Sequence, residues 1–325
     1  MTRDLDWGIP VPVEGFEDKK IYVWVEAVLG YLSASKKWAE SRGISWETIW
    51  SSEDAIHYYV HGKDNIPFHT IILPALLKGH GNLHLPDRII SSEYVTLEGR
   101  KISTSKDWAV WMPYLIERYN PDTIRYFFIA NGPEKRDTVF SWREFVNKHN
   151  GEILGAYGNF VNRSLVFIQK FFGGQVPEGQ CNPDIHKTLV ELYDKVGGLI
   201  EQGDFKDALD AVFSFICSAN KYFDDQQPWI TVKNDINKCR ETLHTCVQII
   251  VHTCVQIIVN LSILLNPFLP FSSDKIRNML RIDDMIVGWE YTEIAAGSRI
   301  GEVKTLFERI DKKVIEEENR LLTKK

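Results

Sequence analysis

The strongest constraint on the fold is a change of pattern along the chain, because strand signals alternate with helix signals only in the first hundred residues. Ile21–Val25, Ala55–Gly62 and Arg88–Leu97 are rich in β-branched and aromatic residues, and apolar residues recur at helical spacing between them. Pro67 stands where the helix after the second run is expected to start. Alternating strands and helices favour a parallel sheet.

Three clusters of polar or aromatic residues follow these predicted strands, at Trp24–Ala27, Gly62–Asp64 and Gly99–Ser105. The carboxyl ends of parallel strands lie along one edge of a sheet, where ligands bind in open α/β folds. We therefore expect the three clusters to meet at one edge of a single sheet.

From about Asp122 onward the pattern is helical. Gly173–Pro183, with three glycines and two prolines, is a predicted loop between helices. The expected fold class is therefore α/β followed by an all-α bundle. Two apolar series at helical spacing support this expectation: Phe205, Leu209, Val212, Phe213 and Ile216, and then Val303, Leu306, Phe307, Ile310 and Val314.

One octapeptide, HTCVQIIV, is written twice in tandem over His244–Val259. Eight residues form no supersecondary unit, so this is not a solenoid repeat. In a helix, eight extra residues add about 12 Å and rotate the following residues by about 80°. We expect that rotation to move the downstream apolar stripe partly off its core.

Composition limits the partners that this chain can have. Its net charge of −6 means that any contact with nucleic acid must come from a local patch or from stacking. The five cysteines form no CxxC pair, which favours a reduced, cytoplasmic setting and no zinc site. No apolar run is expected to be long enough to span a membrane.

Lys101 and Lys106 flank three hydroxyl residues in the segment KISTSK: Ser103, Thr104 and Ser105. One interpretation is a solvated surface turn. The other is a loop that closes on a polyanion, because lysine supplies charge and the hydroxyls supply donors for phosphate oxygens.

Three further features each have a structural and a functional interpretation. The turn Gly62–Asp64 could be held by Asp64 bonding its own backbone, or could face a ligand. His69 is by itself more often structural than catalytic. Trp24 and Tyr31 are either core residues or the walls of a slot for a small apolar ligand.

The helical half contains residues suited to unstacked RNA bases. Asn159 and Arg163 lie at positions i and i+4, hence on one helix face, and Trp229 follows a proline. Asn and Arg bond to base edges, and an aromatic stack contributes about 1–3 kcal/mol per base. The alternative is a surface helix pair and a buried tryptophan.

Taken in order, these segments resemble the second half of a bacterial-type methionyl-tRNA synthetase, a class I aminoacyl-tRNA synthetase. The resemblance covers essentially the whole chain and is carried by an ordered set of landmarks: TRDLDWGIPVP, IYVWVEAVLGY, HGKDNIPFH, KISTSKDWAVW, PDTIRYFF, GNFVNRSL, QQPWI, NPFLPF and LFERID.

The resemblance implies ATP-dependent activation of methionine, transfer to tRNA(Met), Mg²⁺ entering with ATP, no zinc in this part, and a cytoplasmic location. KISTS matches the family's KMSKS loop, with Thr104 in place of its second lysine. The implied sites are catalytic Lys101, Ser103, Thr104 and Ser105; adenylate-binding Gly62, Lys63, Asp64, Lys101 and Thr104; methionine-binding Trp24, Ala27, Tyr31 and His69; and anticodon-binding Asn159, Arg163 and Trp229.

The resemblance also implies a domain plan. Residues 1–118 match the second half of a Rossmann-like catalytic domain, 119–145 a stem-contact region, and 146–325 a helical anticodon-binding domain. The family's HIGH-containing half and connective domain have no counterpart, so we expect a truncated member with negligible adenylate formation alone. The alternative function is an anticodon-binding module without catalysis.

Overall fold

The first 140 residues form three small β-sheets instead of the single sheet expected from the strand pattern. The structure, a computed structural model, describes residues 2–228, 240–282 and 288–323. Its sheets are β1–β2, β3–β4 and β6–β5–β7. The strands are β1 Thr2–Asp4, β2 Lys19–Ile21, β3 Tyr58–Gly62, β4 Arg88–Ser92, β5 Val95–Leu97, β6 Arg100–Lys101 and β7 Thr138–Phe140.

The predicted strand Arg88–Leu97 is interrupted, and this explains why one sheet does not form. β4 pairs in parallel with β3, whereas β5 pairs in parallel with β7 and antiparallel with β6. Between them, the Glu93 N–H donates to the Pro133 carbonyl (2.7 Å) and the Tyr94 N–H donates to the Asp137 carboxylate (3.0 Å). Both backbone groups therefore bond to a segment about forty residues away, and the ladder stops.

The prediction of a strand over Ile21–Val25 is wrong beyond its first residue, because the chain turns into a short helix at Val23. The other expected elements are present, including helical structure after Pro67, where a π-helical turn Phe68–Ile72 leads into α4. The helices of this part are α1 Val23–Ala27, α2 Gly30–Arg42, α3 Glu47–Trp50 and α4 Leu73–His80.

The remainder of the chain is mainly helical, as predicted, and the segment between Phe172 and Asn182 is a loop. The apolar series that starts at Phe205 faces the core, since Leu209, Val212 and Ile216 are fully buried. The helices are α5 Met112–Arg118, α6 Pro121–Ala130, α7 Trp142–Lys148, α8 Asn159–Phe171, α9 Pro183–Gln202, α10 Phe205–Gln226, α11 Arg240–Leu264, α12 Pro270–Leu280 and α13 Lys313–Thr323, with a π-helical stretch His149–Gly158 before α8.

Two residues of the PDTIRYFF segment hold the turn formed by NPFLPF. The buried Asp122 carboxylate accepts the Ser272 N–H (2.6 Å) at the start of α12. Burial raises the pKa of Asp122, and the hydrogen bonds from Ser272 and Phe271 act in the opposite direction. Arg125 donates to the carbonyls of Phe268 and Pro267, at 2.7 and 2.8 Å. These two landmarks are therefore explained by structural contacts between α6 and α12.

The C-terminal series at helical spacing is only partly helical. Residues 303–310 have no regular structure, and α13 begins at Lys313. The prediction of a helix there is wrong because the backbone bonds elsewhere: Ile310 exchanges two hydrogen bonds with the Asn150 side chain (2.8 and 3.0 Å), and the Glu308 carbonyl accepts from His149 (2.7 Å).

Helix α13 is held against α5 by one buried carboxylate, Glu318. It accepts hydrogen bonds from the hydroxyls of Tyr114 and Tyr119, both at 2.7 Å, and Arg118 lies 3.3 Å away. Burial, with the neighbouring Glu318, raises the pKa of Tyr114 to about 12. Both phenols therefore stay protonated and act as donors at neutral pH.

The two copies of the octapeptide occupy different environments in α11. Residues 251–265 are all buried, whereas Thr245, Cys246 and Ile249 of the first copy are exposed. Apolar residues are therefore displaced from the core in the upstream copy. The prediction that the residues downstream of the repeat would be displaced is wrong. The second copy remains in the core because its polar side chains find partners there.

Three polar residues of the second copy are bonded to neighbouring loops. His252 donates to the Pro177 carbonyl (3.0 Å), and the Thr253 hydroxyl accepts the Asn182 N–H (3.0 Å). Gln256 donates to the Ile294 carbonyl and accepts the Ile294 N–H, at 2.8 and 2.9 Å. Buried polar groups are stable when they are paired in this way.

The doubled octapeptide also makes one helix long and apolar enough to cross a membrane. The stretch Thr245–Leu264 meets that criterion, so the expectation that no run is long enough is wrong. In this structure 89% of the apolar window is buried inside the protein, as in the core helix of a folded domain.

The chain divides into two compact units, Met1–Tyr94 with Pro133–Asp137, and Val95–Gly132 with Thr138–Lys325. This division groups the KISTS segment with the helices, because β5, β6 and β7 pack with α5–α7 around Phe127, Phe140 and Trp142. The domain boundaries at residues 118 and 145 remain predictions.

The identical copies provide a matched pair of substitutions. We expect Gln256→Ala to lower the free energy of unfolding by about 1–3 kcal/mol, because it leaves the backbone groups of Ile294 without partners. Gln248→Ala, at the same position of the half-buried first copy, should change it by less than about 0.5 kcal/mol. Urea unfolding followed by circular dichroism measures both. Equal losses would contradict the assignment of the two environments.

Candidate functional site

Tyr31 and His69, predicted from separate segments, are hydrogen-bonded to each other. The Tyr31 hydroxyl lies 2.9 Å from His69 Nε2, and His69 Nδ1 lies 2.9 Å from the Asn65 carbonyl. The carbonyl only accepts, so Nδ1 carries the proton, and Nε2 accepts the proton of the tyrosine. His69 is buried, and burial lowers its pKa; the bond to Asn65 opposes this effect, and His61 adds to it.

Other rings extend this pair into an aromatic cluster. The Tyr59 ring lies 5.5 Å from that of Tyr31, and the His61 ring stacks on His69 at 4.2 Å. Trp24 stacks on Phe68, the residue before His69, at 5.2 Å. The structure thus brings two of the four predicted methionine-binding residues, Tyr31 and His69, into direct contact, and it places Trp24 against the ring of the residue that precedes His69. The fourth, Ala27, is exposed at the end of α1.

The exposure of this cluster distinguishes it from an ordinary core. Trp24 and Tyr31 keep 37% and 44% of their surface accessible, although both contact other rings. Exposed aromatic surface can receive a small apolar ligand, and the Tyr31 hydroxyl oxygen, whose proton goes to His69, can still accept a hydrogen bond from it. The sequence pattern indicated Trp24 and Tyr31 but missed Phe68 and Tyr59.

The turn after β3 is held by ion pairs that sequence reasoning did not identify. The Lys63 ammonium contacts the Glu93 carboxylate, lies 3.3 Å from Asp137, and sits 4.3 Å above the Tyr94 ring. The hydrogen bond to Glu93 is the main cause that raises the pKa of Lys63. Asp64 in turn accepts a hydrogen bond from the Tyr94 hydroxyl. Gly62 is extended at the start of this turn.

The KISTS segment forms a small closed loop at the end of β6. Ser103 and Trp108 exchange two backbone hydrogen bonds, at 3.0 and 2.9 Å, and a short 3-10 helix spans Thr104–Lys106 between them. Trp108, which the sequence analysis did not single out, anchors the loop by donating from its indole to the Leu97 carbonyl (3.2 Å).

The predicted phosphate-binding side chains of this loop are on its surface. Lys101, Thr104 and Ser105 are exposed, and the hydroxyls of Ser103 and Ser105 lie 3.2 Å apart. Neither Lys101 nor Lys106 forms an ion pair with any carboxylate in the part of the chain that the structure describes. The two ammonium groups are therefore available to an anionic ligand, as a polyanion-binding loop requires.

In the helical half, Arg163 already has partners within the protein. Its guanidinium donates to the Asp224 carboxylate at 2.6 Å and lies 5.0 Å above the Phe223 ring. Asn159 is exposed one turn earlier on the same helix. Trp229, the third predicted anticodon-binding residue, falls outside the described residues.

No group of three or more His, Cys, Asp or Glu side chains that could hold a metal ion occurs among the residues that the structure describes. The aromatic cluster and the Lys63 turn belong to the first compact unit, and the KISTS loop and α8 belong to the second.

Two family profiles match consecutive parts of the chain. Residues 1–165 match the family described as tRNA synthetases class I (M), and residues 175–324 match the anticodon binding domain of methionyl tRNA ligase. Because the first match covers half of the chain, this protein belongs to the class I tRNA synthetases of the methionyl type.

Similar proteins agree with both matches. Methionine–tRNA ligase 1 of Alkaliphilus oremlandii is 53% identical over 318 residues, which are 98% of this chain and 57% of that protein. A methionine–tRNA ligase of Bacillus cereus is 54% identical over 98% of this chain and 56% of its own length. The chain thus spans a little over half the length of the relatives it matches.

A solved structure supports the fold. The crystal structure of Mycobacterium tuberculosis methionyl-tRNA synthetase bound by methionyl-adenylate superposes with a TM-score of 0.78 at 26% identity, covering 94% of this chain and 59% of that one. The predicted α/β part followed by a helical anticodon-binding domain is confirmed.

The hydrogen bond between Tyr31 and His69 leads to a prediction about the pKa of His69 and about the pH dependence of stability. Because burial lowers the pKa of folded His69 below 6.5, the unfolded chain binds more protons, and stability is lost as the pH falls below about 6.5. Tyr31→Phe removes a donor to the neutral ring, so the His69 pKa should rise towards 6.5. Histidine NMR titration measures it, with the exposed Tyr58→Phe as control. A wild-type midpoint at or above 6.5 would contradict this arrangement.

Proposed function

We propose that this chain carries the methionine-facing and anticodon-binding parts of a methionine–tRNA ligase. In that reaction the methionine carboxylate displaces pyrophosphate from ATP, and the methionyl group then passes to tRNA(Met). The observation that carries the proposal is the match of two consecutive profiles, one to a class I tRNA synthetase and one to its anticodon-binding domain, along nearly the whole chain.

The aromatic cluster is assigned to the methionine side chain, through Trp24, Ala27, Tyr31 and His69. A thioether gains about 0.3–1.5 kcal/mol from each contact with an aromatic ring, and this set supplies the Tyr31–His69 pair and the ring of Trp24, which stacks on Phe68. The buried, neutral His69 presents no net charge to an apolar ligand. The M. tuberculosis relative is described with methionyl-adenylate bound, which agrees with this assignment.

The KISTS loop is assigned to the phosphates of ATP. Exposed Lys101 supplies charge, and Ser103, Thr104 and Ser105 supply hydroxyl donors. Mg²⁺ is proposed to enter with ATP, held by its phosphate oxygens. Catalysis then consists of positioning and electrostatic stabilisation of the pentavalent phosphorus, without a covalent enzyme intermediate.

The turn Gly62–Asp64 is assigned to the adenylate. In this proposal the ion pairs of Lys63 with Glu93 and Asp137 fix the shape of the turn, and the bond from Tyr94 orients Asp64. A fixed turn reduces the entropy lost when the nucleotide binds.

Recognition of tRNA is assigned to the helical half. Asn159, Arg163 and Trp229 are the proposed anticodon-binding residues, and Asp224 with Phe223 holds the guanidinium of Arg163 in place. The proposal places the reaction in the cytoplasm, where the tRNA substrate is present.

A second candidate is an anticodon-binding module without catalysis. The observation in its favour is that residues 175–324 match the anticodon binding domain of methionyl tRNA ligase.

A chimaera tests the ligase proposal. The matching part of the A. oremlandii relative is replaced by this chain, and methionine-dependent exchange of pyrophosphate into ATP is measured. We expect exchange, and a loss of about 10–100-fold in Lys101→Ala, because a charge-assisted bond contributes about 1.5–3 kcal/mol. Lys78→Ala, which alters an exposed lysine at the end of α4, is the control. A folded chimaera without exchange would reject catalysis and favour the second candidate.

A further inference from the structure

A small apolar cavity of about 140 Å³ lies between the residues that follow the KISTS loop and the C-terminal helix α13. Three aromatic side chains line it: Trp111 just before α5, Tyr114 within α5, and Trp142 at the start of α7. Glu318 and Leu321 line it from α13. All of these residues belong to the second compact unit, and none belongs to the sites proposed for methionine, ATP or tRNA.

The size of this cavity matches a single aromatic ring. An apolar cavity of about 150 Å³ in a protein is large enough to hold benzene. A ligand can reach it, because Trp111 and Leu321 keep 52% and 42% of their surface accessible. An aromatic lining favours an aromatic ligand, since rings gain energy from offset and edge-to-face contacts.

Two buried polar groups of the lining suit a hydroxyl. The Glu318 carboxylate accepts hydrogen bonds from Tyr114 and Tyr119, both at 2.7 Å, and from Arg118 at 3.3 Å. A carboxylate has about four acceptor positions, so it can accept one more donor. The indole N–H of the fully buried Trp142 has no hydrogen-bond partner among the described residues. A hydroxyl both donates to a carboxylate and accepts from an N–H.

The charges beside the cavity favour a neutral ligand. The Arg118 guanidinium lies 3.3 Å from the Glu318 carboxylate and 4.7 Å above the Tyr114 ring. It therefore offsets the negative charge of Glu318 and opposes the entry of a cation. The carboxylate in turn opposes the entry of an anion.

The walls of the cavity are held in place without a ligand. The Trp142 ring packs against Phe140 and Phe145, with ring centres 5.1 and 5.9 Å away. The Tyr114 ring is fixed by the bond from its hydroxyl to Glu318. Preformed walls reduce the entropy that is lost when a ligand binds.

We propose that this cavity binds a neutral phenol, that is, a single aromatic ring with one hydroxyl group. The ring contacts the three aromatic side chains, and the hydroxyl lies at Glu318 and the Trp142 indole. This site is separate from the residues assigned to the ligase reaction, so the two proposals can fail independently.

A second, larger cavity fits this ligand less well. The groove of about 500 Å³ between α9 and α10 is mainly apolar and is bordered by Asp184 and Glu191. One ring would leave most of that groove unfilled, and an unfilled space forfeits contacts with the walls.

The test titrates phenol into the full chain and follows the assigned indole N–H resonance of Trp142 by NMR. We expect a saturable shift with a dissociation constant in the millimolar range, as is ordinary for so small a ligand. Toluene has nearly the same size but no hydroxyl. It should bind about 3-fold or more weakly, although it is more apolar, because it leaves the carboxylate and the indole unpaired. Equal or tighter binding of toluene would overturn the proposal.

Variants locate the site. Ala109→Leu fills the cavity from its buried wall and should weaken phenol binding at least about 10-fold, whereas Ala34→Leu, at an exposed position of α2, should not change it. Leu321→Ala truncates an exposed lining residue and should weaken binding about 2–4-fold, with the exposed Leu5→Ala as its control.

Circular dichroism verifies that each variant is folded, and the Leu321 variant serves as the test if the Ala109 variant does not fold. Wild-type affinity for phenol in a folded Ala109 or Leu321 variant would overturn the inference. The absence of saturable phenol binding to the wild type would overturn it as well. Neither result affects the ligase proposal, which the chimaera tests.

Discussion

The buried contact between Asp122 and the first turn of α12 connects the parts of the second compact unit. A carboxylate without solvent is stable only when donors surround it, and here the backbone of Ser272 supplies the short bond. Arg125, one turn further along α6, binds the carbonyls before that helix. Helix α6 follows the KISTS loop and α5 in the chain, so these contacts join the loop-bearing part of the unit to its helical part.

The local pattern of apolar residues predicted correctly those helices and strands in which the pattern continues over many residues, or whose hydrogen-bonding partners lie nearby in the sequence. It identified α10 and the pairing residues of β3 and β4, but not the break at Glu93 and Tyr94, whose cause lies at Pro133 and Asp137. Likewise, the segment 303–310 has helical spacing but no regular structure, because His149 and Asn150 supply hydrogen bonds to its backbone. Such long-range bonds leave no trace in a local apolar pattern.

The candidate site likewise was predicted in part from the sequence and in part only from the three-dimensional structure. The residue types of Trp24, Tyr31 and His69 came from segments that resemble a family, but their hydrogen bond and ring contacts could be seen only in three dimensions. The octapeptide is the clearest case, since one sequence occupies two environments within a single helix: Cys246 is exposed, and Cys254 is buried with a pKa raised to about 12. The surrounding tertiary structure, and not the local sequence, determines which copy of the octapeptide is buried.

The most direct measurement compares the affinity of the chain for two stem-loops that differ only in the anticodon, CAU and a changed triplet. The account predicts that the changed stem-loop binds at least about 10-fold more weakly, a difference of about 1.4 kcal/mol. It also predicts that Trp229→Ala weakens the CAU complex, as the loss of one stacked base would, while Trp7→Ala, at an exposed tryptophan in the first unit, does not. Equal affinity for the two stem-loops would contradict the account.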